Sequence, residues 1–215
     1  MKIKYINIIA LTLFFSSVFG LQVSAQDEDL RDKVGIGFKA GINSSNLYDT
    51  KSESFDHKAK IGLAFGGYLS VPLGKVIGFQ PELMYSQKGY KGNGSILGAN
   101  YDYTRKTDYL DVPLQLQVKP APFLTILAGP QYSFLLSKGI SFNSGSVTVD
   151  QQNDIENNDI RKNTLGAVVG LDFNFSRLVL SGRLSWDLQH NDGDGTSTSP
   201  RYKNVVAQAT LGVRL

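Results

Sequence analysis

The sequence predicts an all-β protein, an eight-stranded antiparallel transmembrane up-and-down β-barrel. Three observations carry that expectation: a period-2 alternation with one uncharged face, connections that alternate strictly between short and long, and an N-terminal segment built for export. Eight stretches alternate: Val34–Ser44, Ala59–Val71, Val76–Lys88, Asp108–Lys119, Phe123–Ser137, Thr164–Phe175, Arg177–Leu188 and Asn204–Leu215. Such alternation marks strands with one apolar face. In the first it reads Val34, Ile36, Phe38, Ala40, Ile42, and in the sixth Leu165, Ala167, Val169, Leu171, Phe173, Phe175. The phase holds along every strand, and a slip of one residue would destroy it.

The opposite face carries the charges Lys39, Lys60, Glu82, Asp111, Asp172, Arg183, Asp187 and Arg214, with Gln80, Gln115, Gln117, Gln131 and Gln208 among them. In a soluble barrel or sandwich the apolar face would point inward. In a transmembrane barrel it meets lipid, and the polar face fills the lumen. Connection lengths favour the membrane. Pro72–Lys75, Pro120–Pro122 and Ser176 make tight turns, whereas Ser45–Lys58, Gly89–Thr107, Lys138–Asn163 and Gln189–Lys203 are long and polar. All long connections then fall at one end, as in barrels with short periplasmic turns and longer outer loops. Both termini are expected in the periplasm.

Aromatic placement agrees. Tyr85, Tyr132 and Trp186 each lie eight residues beyond an apolar residue at the base of an ascending strand, namely Ile77, Leu124 and Leu178. Eight residues at ~3.3 Å rise and a tilt of about 40° climb roughly 20 Å, which sets the three rings at one outer level. Phe79, Phe173 and Phe175 are expected near the opposite interface. The four basic and four acidic inward charges suit mutual pairing. An eight-stranded lumen is narrow enough to be filled by side chains, so the expectation is a plug of structural charges and no open pore. Pro81, Pro113 and Pro130 fall inside strands and predict bulges or irregular ladders there.

The chain is 41% hydrophobic and 19% charged, with a net charge of +3 and no cysteine. That is too apolar for a disordered chain and too weakly basic to point to nucleic acid. The absence of cysteine excludes disulfides, thiolate metal sites, thiol nucleophiles and a lipidated N-terminal cysteine. Lys2 and Lys4, the uncharged stretch Ile6–Leu21 and Val23-Ser24-Ala25 have the order of a secretory signal peptide. The expected organisation is a cleaved signal over 1–25, a periplasmic segment over 26–33 and the barrel over 34–215.

Gln80-Pro81-Glu82-Leu83-Met84-Tyr85-Ser86-Gln87-Lys88-Gly89, Tyr109-Leu110-Asp111-Val112-Pro113-Leu114 and Ala128-Gly129-Pro130-Gln131-Tyr132 resemble, in order and spacing, the PorT-like outer-membrane β-barrel family. The resemblance spans nearly all of the mature chain and includes the closing Leu211-Gly212-Val213-Arg214-Leu215. Such barrels usually end in an aromatic residue read by the outer-membrane assembly machinery, whereas this chain ends in Leu215. The resemblance implies a single-domain barrel in a Gram-negative outer membrane. It implies no agreed activity, although the founding member is tied to a protein-secretion system.

No catalytic, cofactor-binding or metal-binding residue is assigned from the sequence, and no enzyme activity or cofactor is expected. His190 near Ser185 and Asp187 is the one constellation that brings a base, a nucleophile and an acid together, but strand parity sets His190 on the other face. Asn191-Asp192-Gly193-Asp194-Gly195 offers oxygen ligands without the spacing of a calcium loop, and Asp-Gly pairs are ordinary turn chemistry. Asp150–Asp159 reads as a solvated loop. The expected role is therefore structural or interactive, through outer loops that contact an unidentified protein or glycan. The expected surroundings are outer-membrane lipid and the assembly machinery. The alternatives are a lipid-modifying enzyme and a narrow solute channel, with a soluble lipocalin-like binder as the outside reading.

Overall fold

The computed structural model describes residues 30–48, 57–96, 99–144, 147–153, 161–191 and 202–215. Residues 1–25, expected to be a signal peptide, and Asp192 and Asp194 lie outside the described residues. A 3₁₀ turn, Leu30–Asp32, precedes β1 (Gly35–Tyr48), β2 (His57–Pro72), β3 (Ile77–Ile96), β4 (Ala99–Ala121), β5 (Leu124–Ser144), β6 (Val147–Asn153), β7 (Asn163–Phe175), β8 (Leu178–Asp187) and β9 (Lys203–Arg214). Among the described residues no helix is long and apolar enough to cross a membrane.

Consecutive strands pair antiparallel from β1 to β5, β5 pairs on to β7, and β7, β8 and β9 follow. The β1–β9 ladder, from Gly37↔Arg214 to Tyr48↔Lys203, closes the sheet on itself. The barrel wall is thus eight-stranded, because among the described residues β6 pairs only with the outer end of β5, from Lys138↔Asn153 to Ser144↔Val147.

The faces are inverted relative to a water-soluble protein. Ile61 is 70% exposed and Phe38 63%, while Asn43 and Gln115 are fully buried. Leu63, Leu83, Leu116 and Leu211 are exposed on the outer wall, and Gln80, Glu82, Ser86 and Ser133 are buried inside it. An exposed apolar belt of this extent requires an apolar solvent. From Val71 to Ile61 the outward face of β2 spans ten residue steps. At ~3.3 Å per residue and about 40° of tilt this gives roughly 25 Å, the height of a hydrocarbon band.

The tight connections lie at one end. Leu73 N–H donates to the Ile77 carbonyl at 2.9 Å across the β2–β3 turn. Phe175 and Leu178 face each other across a two-residue turn in which Ser176 takes φ 54°. At the other end two expected loops prove to contain strand. Gly89–Thr107 continues as a ladder from Gly89↔Lys106 to Ile96↔Ala99, and Lys138–Asn163 contains the outer end of β5 and all of β6. Beyond the membrane neither face needs to be apolar, so the period-2 signal fades although the backbone pairing persists.

The prolines also behave differently from expectation. The β2–β3 ladder passes over Pro81 and the β3–β4 ladder over Pro113, but the register is the same on either side. Pro130 stays within an unbroken β5–β7 ladder, opposite Ala167. The register shifts fall instead between Ala59 and Ala64 on β2, and at Asp108/Tyr109 and Val118/Ala121 on β4. Each proline removes one donor yet keeps the strand extended, so facing residues stay in phase.

Gly89 lies beside the first of these irregularities. Its φ of 132° is a conformation side chains rarely adopt, and an added Cβ would stand 2.0 Å from the Arg105 carbonyl oxygen. Gly89→Ala is therefore expected to destabilise the barrel by about 1–3 kcal/mol, read as a lower denaturant midpoint in detergent, whereas Gly182→Ala, with open space around its Cβ, should leave the midpoint nearly unchanged.

Candidate functional site

Inward-pointing positions from six strands build the lower lumen around Glu82. Lys39 on β1 reaches Glu82 Oε2 at 2.6 Å, and Arg183 on β8 reaches Oε1 at 3.2 Å. Arg183 also clasps Asp172 on β7 with both terminal nitrogens, at 2.6 and 3.1 Å. Two parallel N–H···O bonds of this kind fix orientation as well as charge. Gln80 Nε2 donates to Glu82 Oε1 at 2.8 Å, Gln117 donates to Gln80, and Ser70 Oγ donates to Gln117 Oε1 at 3.1 Å. Four charged groups and three neutral ones thus fill one layer of the barrel.

The N-terminal 3₁₀ turn lies against the lower mouth. Lys119 Nζ donates to the Arg31 carbonyl at 2.9 Å, and Arg214 Nη2 donates to the Lys33 carbonyl at 2.6 Å.

A second layer lies above. Lys88 Nζ meets Asp111 Oδ1 at 2.8 Å and stands 4.7 Å from the centre of the Tyr109 ring. Ser133 Oγ donates to the same Asp111 oxygen at 2.6 Å. Asn43 Nδ2 donates to Ser86 Oγ at 2.6 Å, and Gln208 Nε2 donates to Asn43 Oδ1 at 2.9 Å. At the outer end Leu47, Tyr90 and Tyr202 form a buried cluster with Tyr103 against it. The Tyr90 ring centre lies 6.1 Å from Tyr103 and 5.5 Å from Tyr202, both edge-on. Burial pushes the Tyr202 hydroxyl up to about 12, so it stays protonated at any physiological pH.

Seven of the eight charges assigned to the lumen from sequence are buried: Lys39, Lys60, Glu82, Asp111, Asp172, Arg183 and Asp187. Arg214 is half-buried at the lower rim instead, because β9 ends there and the guanidinium turns to the Lys33 carbonyl. Lys88, Lys119 and Lys138 are buried as well, which sequence reasoning missed. Parity with Glu82 and Gln117 was the available signal for the first two; Lys138 was hidden because the shift at Asp108/Tyr109 interrupts the count. The expected four-to-four balance becomes six buried bases against four buried acids among the described residues.

The aromatic residues lie on the lipid face. Tyr132, Phe173 and Phe175 are exposed, and Phe79, Tyr85 and Trp186 half-buried. Tyr85 packs on Phe65 with ring centres 4.9 Å apart, and Tyr132 on Phe134 at 5.0 Å. Ladders join Tyr85 through Leu110 to Phe134, and Trp186 to Ala167, two residues from the Leu165 that faces Tyr132. Phe173 and Phe175 flank the tight β7–β8 turn at the other end.

Around His190 the geometry is that of a strand end. Asp187 Oδ2 accepts from Asn204 Nδ2 at 2.6 Å and from the Asn204 N–H at 3.2 Å, and the His190 carbonyl accepts from Arg161 Nε at 3.2 Å. The His57 side chain lies outside the described residues. Among the described residues no group of three or more His, Asp or Glu side chains is arranged to hold a metal ion.

The sequence that builds this closed wall matches the family model of the outer membrane protein beta-barrel domain over residues 24–193. This chain belongs to that family. It is a small outer-membrane barrel, and its place is the outer membrane. No curated protein matches the sequence. Solved structures similar to this barrel include the attachment invasion locus protein Ail of Yersinia pestis, at 12% identity and a TM-score of 0.48, covering 84% of this chain and 98% of that one. OprG of Pseudomonas aeruginosa matches at 11% identity and 0.42, covering 85% and 94%. AlkL, solved in lipid bilayers, matches at 15% and 0.45, covering 83% and 90%.

Within this barrel Glu82 has the heaviest electrostatic duty, since its removal leaves Lys39 facing Arg183. Glu82→Ala should destabilise by about 3–5 kcal/mol in denaturant titrations of the detergent-folded protein. Arg214→Ala, at the wetter rim, should cost less than about 1 kcal/mol.

Proposed function

We propose that this barrel acts as a structural or interaction protein of the envelope, working through the sheet that projects from its outer end. The observation that carries the reading is an asymmetry of length. β3 and β4 continue as a paired hairpin to Ile96 and Ala99, and β5 extends to Ser144 and carries β6, while β7, β8 and β9 have their outer ends at Asn163, Asp187 and Lys203. The described parts of the long connections Gly89–Thr107 and Lys138–Asn163, expected to be the working loops, thus form a four-stranded sheet on one side of the barrel. Exposed elements on a rigid scaffold are where recognition usually resides.

The filled lumen supports this reading over a solute channel, since both charged layers are cross-linked across the interior. The two hydrogen bonds by which Asp187 Oδ2 holds Asn204 give this acid a structural role and support the reading over a lipid-modifying enzyme. The segments Gln80–Gly89, Tyr109–Leu114 and Ala128–Tyr132 support a PorT-like membership, and with it export by the N-terminal signal and insertion by the outer-membrane assembly machinery. The partner at the projecting sheet is a protein or glycan at the cell surface.

The test shortens the sheet and leaves the wall alone. Asn-Gly in place of residues 93–102 would close Gly92 on Tyr103, and Asn-Gly in place of 140–151 would close Gly139 on Gln152, both existing ladder pairs. The doubly shortened barrel should reach the outer membrane at the wild-type level and show the same heat-dependent gel shift, yet cells carrying it should behave as the deletion strain. Full rescue of that strain by the shortened barrel would contradict the proposal, as would a steady unit conductance of the wild type in planar bilayers.

A further inference from the structure

The outer wall of β2, β3 and β4 carries a like-charge arrangement. Lys58 on β2 stands directly opposite Lys91 on β3. Lys106 on β4 faces Gly89, two residues along β3 from Lys91. All three lysines are exposed. Like charges directly opposite on adjacent strands destabilise a ladder. Two acids are near in register: Asp108, half-buried opposite Gln87 and two residues from Lys106, and Asp102, opposite Asn93 and two residues from the Thr104 that faces Lys91. Neither stands directly opposite a lysine, whereas Lys58 and Lys91 do face each other.

Their height on the wall is informative. Immediately below them on β2 come Ile61, Leu63 and Phe65, which are 70%, 57% and 51% exposed. The Phe65–Tyr85 ring pair lies in that belt. The lysines begin where the ~25 Å apolar band ends, at the depth of the headgroups. Lysine stems can lie along apolar surface while the ammonium reaches the interface.

We propose that Lys58, Lys91 and Lys106 form a binding site for the phosphate groups of an outer-leaflet lipid, with its acyl chains lying against Ile61, Leu63 and Phe65. Charge complementarity selects the headgroup, and the contiguous apolar wall below selects a lipid over a soluble anion. A phosphate between Lys58 and Lys91 turns their repulsion into shared attraction. The site goes beyond the role of the projecting sheet and stands or falls independently of it.

The test is native mass spectrometry of the full mature barrel folded in a neutral detergent, titrated with phosphorylated lipid A or with the same lipid stripped of its phosphates. The wild type should retain phosphorylated lipid A, lose it progressively with added salt and hold the stripped lipid weakly. A lysine near a charged membrane surface is worth roughly fivefold in binding, so Lys91→Ala alone should weaken retention about fivefold, and the triple alanine variant about a hundredfold. Lys75→Ala, in the β2–β3 turn at the other end, should change nothing. The heat-dependent gel shift verifies folding of each variant, and the exposed single substitution at Lys91 keeps the test open should the triple variant misfold. Equal retention by Lys91→Ala and wild type, or equal retention of the two lipids by the wild type, would overturn the proposal.

Discussion

Inside a bilayer a backbone N–H or C=O without a partner finds no water, and each such group costs several kcal/mol. The first and last strands must therefore find each other, and the β1–β9 ladder from Gly37↔Arg214 to Tyr48↔Lys203 is where this happens. Much else follows from that closure. A closed wall has one face to lipid and one to the lumen, so every strand has to alternate. Eight strands leave a narrow interior, and the residues that point into it have to satisfy one another. Tight turns suffice at the lower end, where Ser176 and Gly74 accept positive φ.

The interior meets its own version of the same demand. Glu82 is shared between Lys39 and Arg183, Arg183 is held in addition by Asp172, and the amides of Gln80 and Gln117 complete the layer. The groups come from strands distant in sequence, so the layer forms only when the barrel is closed and in register. Buried ion pairs contribute little net stability compared with apolar packing. Here the alternative is not apolar, because the lipid face already takes the apolar residues. The network specifies which strand lies where.

The wall of this barrel was legible in the sequence and its outer end was not. The apolar phase of all eight wall strands agrees with the observed exposure, from Ile36 and Phe38 on β1 to Leu211 on β9. That signal exists because lipid and lumen impose opposite solvents on alternate residues. Past Lys88 on β3 and before Thr107 on β4 the two faces no longer differ in this way, and the hairpin was read as loop although its ladder is continuous. β6 was missed for the same reason. Pro81, Pro113 and Pro130 drew attention to the wrong places, since the actual shifts lie at Ala59/Ala64, Asp108/Tyr109 and Val118/Ala121, and only the last spans a proline, Pro120. The paired charges were visible as residue types, but their partners were not: nothing local links Lys88 to Asp111 or Arg183 to Glu82.

The orientation of the wall is the claim on which all of this rests, and the absence of cysteine makes it directly measurable. Single cysteines at Leu178, Val179, Leu180, Ser181, Gly182 and Leu184 on β8 would each carry a nitroxide label in the reconstituted, bilayer-embedded barrel. Leu178, Leu180 and Leu184 are 39%, 47% and 45% exposed, against 4% for Val179 and 3% for Ser181. Dissolved oxygen, which concentrates in the hydrocarbon, should relax the labels at Leu178, Leu180, Gly182 and Leu184 strongly and those at Val179 and Ser181 weakly. The opposite alternation, or none, would mean that the apolar face does not meet lipid.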